Sequence, residues 1–312
     1  MSEIRPGPRY DQLAADTQIT NVLFDVDDTL TKRDSKKGPS ERFQRAVQRI
    51  GEQALNLNAS LATGRPHPKT SHILDAIARA DSRTAEGWSI LSNGAQLYSG
   101  KTGQMAVEHV LSREATCGIA RELQQQGIRH WLQDNGIDFT WQREVTARGD
   151  DLGAYAYPLD IWDPQGMAKV IAAYEPQKPL IFVAEGMTEE QLEHMKGVVN
   201  EESRGKAGVL VLGKREIAGV ATYAAFLLDK RSNKKDALEI LSEETGTPLE
   251  EIAMVGDGLN DLDPIRAAGI GVAMENGDQE VKDEAHLIAP PMEKDGAAIA
   301  LEALAGFAKQ VA

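Results

Sequence analysis

Short apolar runs that break off at a polar residue and then feed a helical pattern recur at both ends of this chain. They constrain its fold more than any other feature. The run Val22-Leu23-Phe24 stops at Asp25, and after a polar loop Ser40 heads a segment with Phe43, Ala46, Val47 and Ile50 at helical spacing. Ser60-Leu61-Ala62-Thr63 stops at Gly64-Arg65-Pro66 and leads into a helical pattern carrying Ile73, Leu74 and Ile77. Trp88-Ser89-Ile90-Leu91 stops at Asn93-Gly94. After Leu228 the rhythm returns: a helix over Lys234–Glu244, the run Ile252-Ala253-Met254-Val255, a helix ending near Gly269, and Ile270-Gly271-Val272-Ala273. Strands that alternate with helices in this way pair in parallel, because right-handed crossovers return each strand beside an earlier one.

Between the two blocks the texture changes. The strand-like runs IRHWLQ, IDFTWQ, PLIFVAE and GVLVLG are mixed with two helical patterns, one of which starts with Thr188 and Gln191 in a capping-box arrangement. The expected fold is α/β: a Rossmann-like parallel-sheet core over 21–96 and 229–312, interrupted by an inserted α+β domain over 97–228, with residues 1–20 as a mobile leader. No internal repeat, heptad array or low-complexity tract interrupts this plan.

Composition narrows the function. With 41% hydrophobic and 26% charged residues the chain reads as globular, and no apolar run approaches the ~20 residues of a membrane span. The start MSEIRPGPRYDQ has no apolar stretch behind its charges, unlike a secretory signal. The single cysteine, Cys117, makes no internal disulfide, which suits a reducing cytoplasm. A net charge of −14 repels nucleic acid and anionic membranes, so the expected partner is a small molecule held locally.

Ligands of an open parallel sheet bind at the carboxyl ends of its strands, where helix N-termini point inward. Asp25, Thr63, Asn93 and Asp257 all fall at such ends. For Asp25 and Asp27 to face one point the chain must bend just after Asp25, since alternate strand residues face opposite ways. Together with Asp257 and Asp261 they form an all-oxygen set that calls for a cation and suits Mg²⁺, while the absence of Cys and His argues against zinc. Lys234 at a helix start, or its neighbour Lys235, supplies positive charge for a phosphoryl group, and the Thr63 hydroxyl supplies a donor. Taken singly, a helix-start lysine and a strand-end threonine are ordinary surface and turn residues. The Asp25/Asp27 pair alone also fits a glycosyltransferase that grips a nucleotide-sugar diphosphate through a cation; that reading leaves LATGR, the helix-start lysine and GDGLND without a role.

FDVDDTL, LATGR, the lysine of NKKDAL, and VGDGLND occur in the order and approximate spacing of the haloacid dehalogenase superfamily of phosphatases, which this chain resembles over roughly 21–96 and 229–305. Within it the chain is similar to the Cof-type branch, whose large cap lies between the second and third motifs. The resemblance implies an Mg²⁺-dependent phosphatase acting on a small phosphorylated metabolite, a sugar phosphate or phosphoglycerate-type compound. Asp25 would be the nucleophile that forms an aspartyl-phosphate, and Asp27 the acid and base. Asp25, the Asp27 carbonyl and Asp257 would hold the metal, with Asp261 supporting it. Thr63, Gly64, Lys234 and Asn260 would bind the phosphoryl group. The same nucleophile and metal would serve a phosphosugar mutase, and a non-catalytic phosphate-binding module would keep the fold. Three departures stand out: Asp28 replaces the branch's usual glycine, Lys235 stands where glycine commonly follows the lysine, and Asp263-Pro264 replaces an apolar pair.

Elsewhere, Lys32, Arg33, Lys36 and Lys37 form a basic patch that reads as a solvated loop or as steering for an anion. Asp150-Asp151 reads as a turn, and Trp131, Trp141 and Trp162 as packing of the inserted domain.

Overall fold

A computed structural model describes residues 4–33, 35–134, 137–140, 178–217 and 219–310. Trp141, Trp162, Asp150 and Asp151 lie outside the described residues. The chain forms two compact units, Met1–Glu108 with Ser232–Ala312, and His109–Arg231. The first unit opens with β1 (Arg5–Pro6), β2 (Asn21–Phe24), helix α1 (Glu41–Glu52), β3 (Leu55–Asn56), β4 (Asn58–Leu61), α2 (His67–Ala80), β5 (Trp88–Leu91), β6 (Gln96–Ser99) and β7 (Gln104–Glu108). Ser40 caps α1 by accepting from the Phe43 N–H at 3.2 Å. The residues α1 buries, Phe43, Ala46, Val47 and Ile50, are those its sequence spacing predicted. β6 pairs antiparallel with β5, and β7 antiparallel with β6. They therefore belong to the first unit, and the junctions fall at 108/109 and 231/232, later than the texture change in the sequence.

The second unit holds helix α3 (Arg113–Gln125), β8 (Arg129–Asp134), β9 (Ile137–Thr140), β10 (Pro179–Met187), helix α4 (Glu189–Glu202), β11 (Ala207–Ile217) and β12 (Val220–Asp229). Its five described strands form an antiparallel sheet in the order β11-β12-β10-β8-β9. Ile119 and Leu123 of α3, with Leu192, Met195 and Val199 of α4, share one core with Leu132, Phe182, Ala184, Ala225 and Leu227 of the sheet. The Thr188–Gln191 capping box opens α4, as the sequence indicated.

The chain then returns to the first unit with α5 (Lys234–Thr245), β13 (Ile252–Gly256), α6 (Leu262–Ala267), β14 (Ile270–Met274), α7 (Gln279–Asp283), β15 (Leu287–Ala289), α8 (Gly296–Leu304) and β16 (Lys309–Gln310). The main sheet runs β1-β15-β14-β13-β2-β4, and all of its pairings are parallel except β1 with β15. The bridge between Ala62 and Ile90 sets β5 beside β4. Val22, Leu23 and Phe24 are at most 1% exposed, as an inner parallel strand covered on both faces requires. The N-terminal segment, expected to be a mobile leader, is paired here: β1 lies on β15, Gly7 donates to the His286 carbonyl at 2.9 Å, and the Arg9 guanidinium reaches the Glu284 carbonyl. Among the described residues no helix is long and apolar enough to cross a membrane.

In the second unit His130 is 1% exposed on β8, with Nδ1 against the Ile128 carbonyl. Burial pushes its pKa from 6.5 down to about 4. The unfolded chain therefore takes up a proton that the folded unit refuses, and the stability this histidine contributes is full above its ordinary value and lost as pH falls through the folded one, in total roughly 3 kcal/mol. Melting curves at about pH 7.5 and about pH 5 are expected to show a smaller pH-induced drop in Tm for His130→Gln than for wild type. Equal drops would exclude this histidine as a source of acid sensitivity.

Candidate active site

The ladder of β2 runs one residue past the strand, with the Asp25 N–H donating to the Val255 carbonyl at 2.8 Å. The chain then reverses: Leu30 and Thr31 both donate to the Val26 carbonyl, and Asp28 donates to the Thr31 carbonyl at 2.7 Å. Asp28 takes φ 60°, in the left-handed region, which gives a physical reason for a glycine preference there. The turn sends the carboxylates of Asp25 and Asp27 to different partners.

Asp25, Asp257 and Asp261 each bring a carboxylate oxygen within 4.8 Å of the others. Lys234, 1% exposed at the start of α5, donates from Nζ to Asp25 Oδ1 at 2.8 Å and to Asp261 Oδ1 at 2.6 Å. The other oxygen of Asp261 accepts from the N–H groups of Asp257 and Gly258, both at 3.1 Å. Both Asp261 oxygens are thus engaged in holding the loop and the ammonium. Gly256 lets this carboxylate approach, since a Cβ there would lie 2.4 Å from Asp261 Cγ. The Thr29 hydroxyl donates to Asp257 Oδ1 at 2.7 Å and joins the first turn to the β13 loop.

Electrostatics follow from this crowding. Burial raises the Asp25 carboxyl well above the ordinary range, against the pull of Lys234 and with Asp261 and Asp257 adding to the rise. Burial also pushes Asp257 up to about 7, with the Asp261 charge adding to it. For Lys234 burial works downward, but the charges of Asp25 and Asp261 outweigh it and hold the pKa above that of an ordinary lysine. Fully ionised, three carboxylates around one ammonium carry a surplus of negative charge that a divalent cation would neutralise. Their oxygen-only donors fit Mg²⁺ in kind.

Asp27 lies outside this cluster. Both its oxygens accept from the Arg65 guanidinium, through Nε at 3.0 Å and through Nη2. Arg65 also donates from Nη1 to the Ser35 carbonyl. Thr63 is fully buried at the end of β4, and its Oγ1 accepts from the Arg65 N–H at 3.1 Å. Gly64 links it to Arg65 and is half-buried. Asn260 donates from Nδ2 to Asn93 Oδ1 at 3.4 Å. Lys235 pairs instead with Glu239 at 2.8 Å, so Lys234 alone of the two reaches the acidic cluster. In the basic patch, Arg33 pairs with Asp28 at 3.2 Å, while Lys32, Lys36 and Lys37 are exposed. Sequence reasoning gave no site role to Thr29 or Arg65, and set Asn93 at the ligand edge without a role of its own. The first two lie inside the quoted FDVDDTL and LATGR strings and the third ends β5, so each carried a positional signal.

A parallel sheet thus gathers aspartates and a buried lysine at its carboxyl edge, in an α/β protein with a site built around acidic side chains. The family model for haloacid dehalogenase-like hydrolases matches residues 22–301, and the chain belongs to that family. The HMP-PP phosphatase of Klebsiella pneumoniae is 25% identical over 84% of this chain and 86% of its own length. The phosphoglycolate phosphatase of Archaeoglobus fulgidus is 35% identical over 82 residues, which span 26% of this chain and 37% of that protein. Among solved structures, a haloacid dehalogenase-like hydrolase from Bacteroides thetaiotaomicron superposes with a TM-score of 0.72 at 23% identity, covering 92% of this chain and 100% of the other. A subclass IIB sugar phosphatase gives 0.67 at 19% identity, covering 92% and 99%. These two likenesses show the fold alone.

Lys234→Met removes the ammonium while keeping the bulk of its stem, and leaves two buried carboxylates without their counter-charge. The metal-free variant is expected to lose roughly 3–5 kcal/mol in denaturant unfolding. A loss below about 1 kcal/mol would show that the ammonium does not hold the cluster together.

Proposed function

We propose that this protein is a cytoplasmic, Mg²⁺-dependent phosphatase that hydrolyses the phosphate monoester of a small metabolite, a sugar phosphate or phosphoglycerate-type compound. The observation that carries the reading is the placement of Asp25 at a strand end, with Lys234 on its Oδ1 at 2.8 Å and Asp257 and Asp261 beside it. The names of the relatives agree in reaction class and differ in substrate: phosphoglycolate, HMP-PP and a sugar phosphate.

In this mechanism Lys234 fixes one oxygen of Asp25 and leaves the other to attack phosphorus. The P–O bond to the leaving alcohol breaks as the new bond forms, and Asp27 gives the alcohol its proton. Asp27, now a carboxylate, takes a proton from water. The water oxygen bonds to phosphorus and Asp25 departs, leaving inorganic phosphate. Asp25, the Asp27 carbonyl and Asp257 would hold Mg²⁺, which when bound neutralises the oxygens gathered there. Asp261 backs this set, and Thr63, Gly64 and Asn260 line the phosphoryl side. Arg65 acts through Asp27 as a positioning residue.

Release of inorganic phosphate from a phenyl phosphate ester, followed by a metabolite panel, tests the reading. Asp25→Asn is expected to reduce release to background, and chelation of Mg²⁺ to abolish it reversibly. Undiminished turnover by Asp25→Asn excludes the nucleophile, and an isomerised ester without free phosphate points to a mutase. Arg65→Met frees the Asp27 carboxylate from both bonds and is expected to lower kcat by about 10- to 100-fold with a much smaller change in KM. An unchanged kcat would show that Asp27 needs no such clamp.

A further inference from the structure

Asn93 follows β5 and is 1% exposed, yet among the described residues its side-chain Nδ2 has no hydrogen-bond partner. A buried amide without an acceptor costs about 1–3 kcal/mol, which a folded chain rarely carries without reason. The backbone is unusual at the same place. Ser92 and Asn93 have φ of 49° and 54°, two consecutive non-glycine residues in the left-handed region.

The surroundings say what this conformation serves. The Asn93 N–H donates to the Thr63 carbonyl at 2.8 Å. Its Oδ1 accepts from Asn260 Nδ2 at 3.4 Å. Gly94, at φ 95°, presses so closely on the residue before Lys234 that a Cβ would lie 2.3 Å from the Asn233 carbonyl oxygen. Asn93 is thus tied to the loop carrying Thr63, to the loop carrying Asn260, and through Gly94 to the start of α5.

The side-chain donors at this edge among the described residues are few. The Lys234 ammonium is shared between Asp25 and Asp261, and the Arg65 guanidinium serves Asp27 and Ser35. Thr63 has a single hydroxyl hydrogen. A phosphoryl dianion presents three terminal oxygens, each with more than one acceptor position.

We propose that Asn93 donates from Nδ2 to a terminal oxygen of the bound phosphoryl group, as a neutral donor that makes no ion pair with the aspartates. The inference rests on the phosphatase reading and adds a substrate-touching residue to it.

The Mg²⁺-loaded full chain is compared with Asn93→Asp and Asn93→Gly. The first keeps the shape and the acceptor for Asn260 and loses the N–H donors; the second keeps only the left-handed backbone. Inorganic phosphate is titrated by calorimetry and as a competitive inhibitor of phenyl phosphate ester hydrolysis, and melting temperatures are recorded in parallel. Phosphate affinity is expected to fall by about 10- to 100-fold in both variants, more in Asn93→Asp, with melting temperatures close to wild type. A residue that merely spaces Asn260 gives the opposite order: Asn93→Asp within about twofold of wild type, Asn93→Gly impaired. That order overturns the proposal. Asp25→Asn is assayed alongside; its turnover judges the nucleophile, while the phosphate titration judges Asn93 independently of any turnover.

Discussion

Lys234 Nζ, withdrawn from solvent between Asp25 and Asp261 at 2.8 and 2.6 Å, is the point through which three separate stretches of chain are held together. One charge joins the end of β2, the start of α5 and the loop after β13. An ammonium buried this deeply is tolerated only because two carboxylates surround it, and the carboxylates are tolerated only because it is there. The arrangement still leaves negative charge in excess, which is why burial drives the carboxyls of Asp25 and Asp257 toward their protonated forms. A divalent cation would relieve that excess, since it would replace protons the carboxylates otherwise hold.

The loops are shaped to serve this cluster. Asp261 spends one oxygen on Lys234 and the other on two backbone N–H groups, so it acts as a strut for the loop that carries Asp257. Thr29 performs a similar service from the first turn by bonding Asp257. Gly256 is needed for closeness, and Asp28 accepts a left-handed backbone one residue after Asp27. The Asp263-Pro264 pair fits the same logic: it falls in the first turn of α6, where a proline's missing N–H removes no helical hydrogen bond.

Much of this was legible in the sequence because the signals were local. An apolar run stopping at a polar residue marked each strand end, and the spacing of Phe43, Ala46, Val47 and Ile50 marked the buried face of α1. What was not legible depends on distance along the chain. The pairing of Arg65 with Asp27 joins residues on two different loops, and nothing in either loop alone specifies it. The choice between Lys234 and Lys235 is a matter of helical phase: adjacent residues point about 100° apart, so one faces the cluster and the other meets Glu239 along the helix surface. The second compact unit begins later than the change of texture because β6 pairs with β5 and β7 with β6, and strand-like texture says nothing about which sheet a strand joins.

The separation of Asp27 from the other carboxylates bears most directly on chemistry. Had the turn aimed both acidic side chains of Asp25-Val26-Asp27 into the cluster, Asp27 would share its excess negative field and be drawn into cation binding. By reversing at Asp28, the chain gives Asp25 an ammonium on one oxygen and Asp27 a planar guanidinium across both. Two aspartates separated by a single valine thus acquire different electrostatic surroundings. In the proposed reaction, any division of labour between them would follow from environment rather than from residue type.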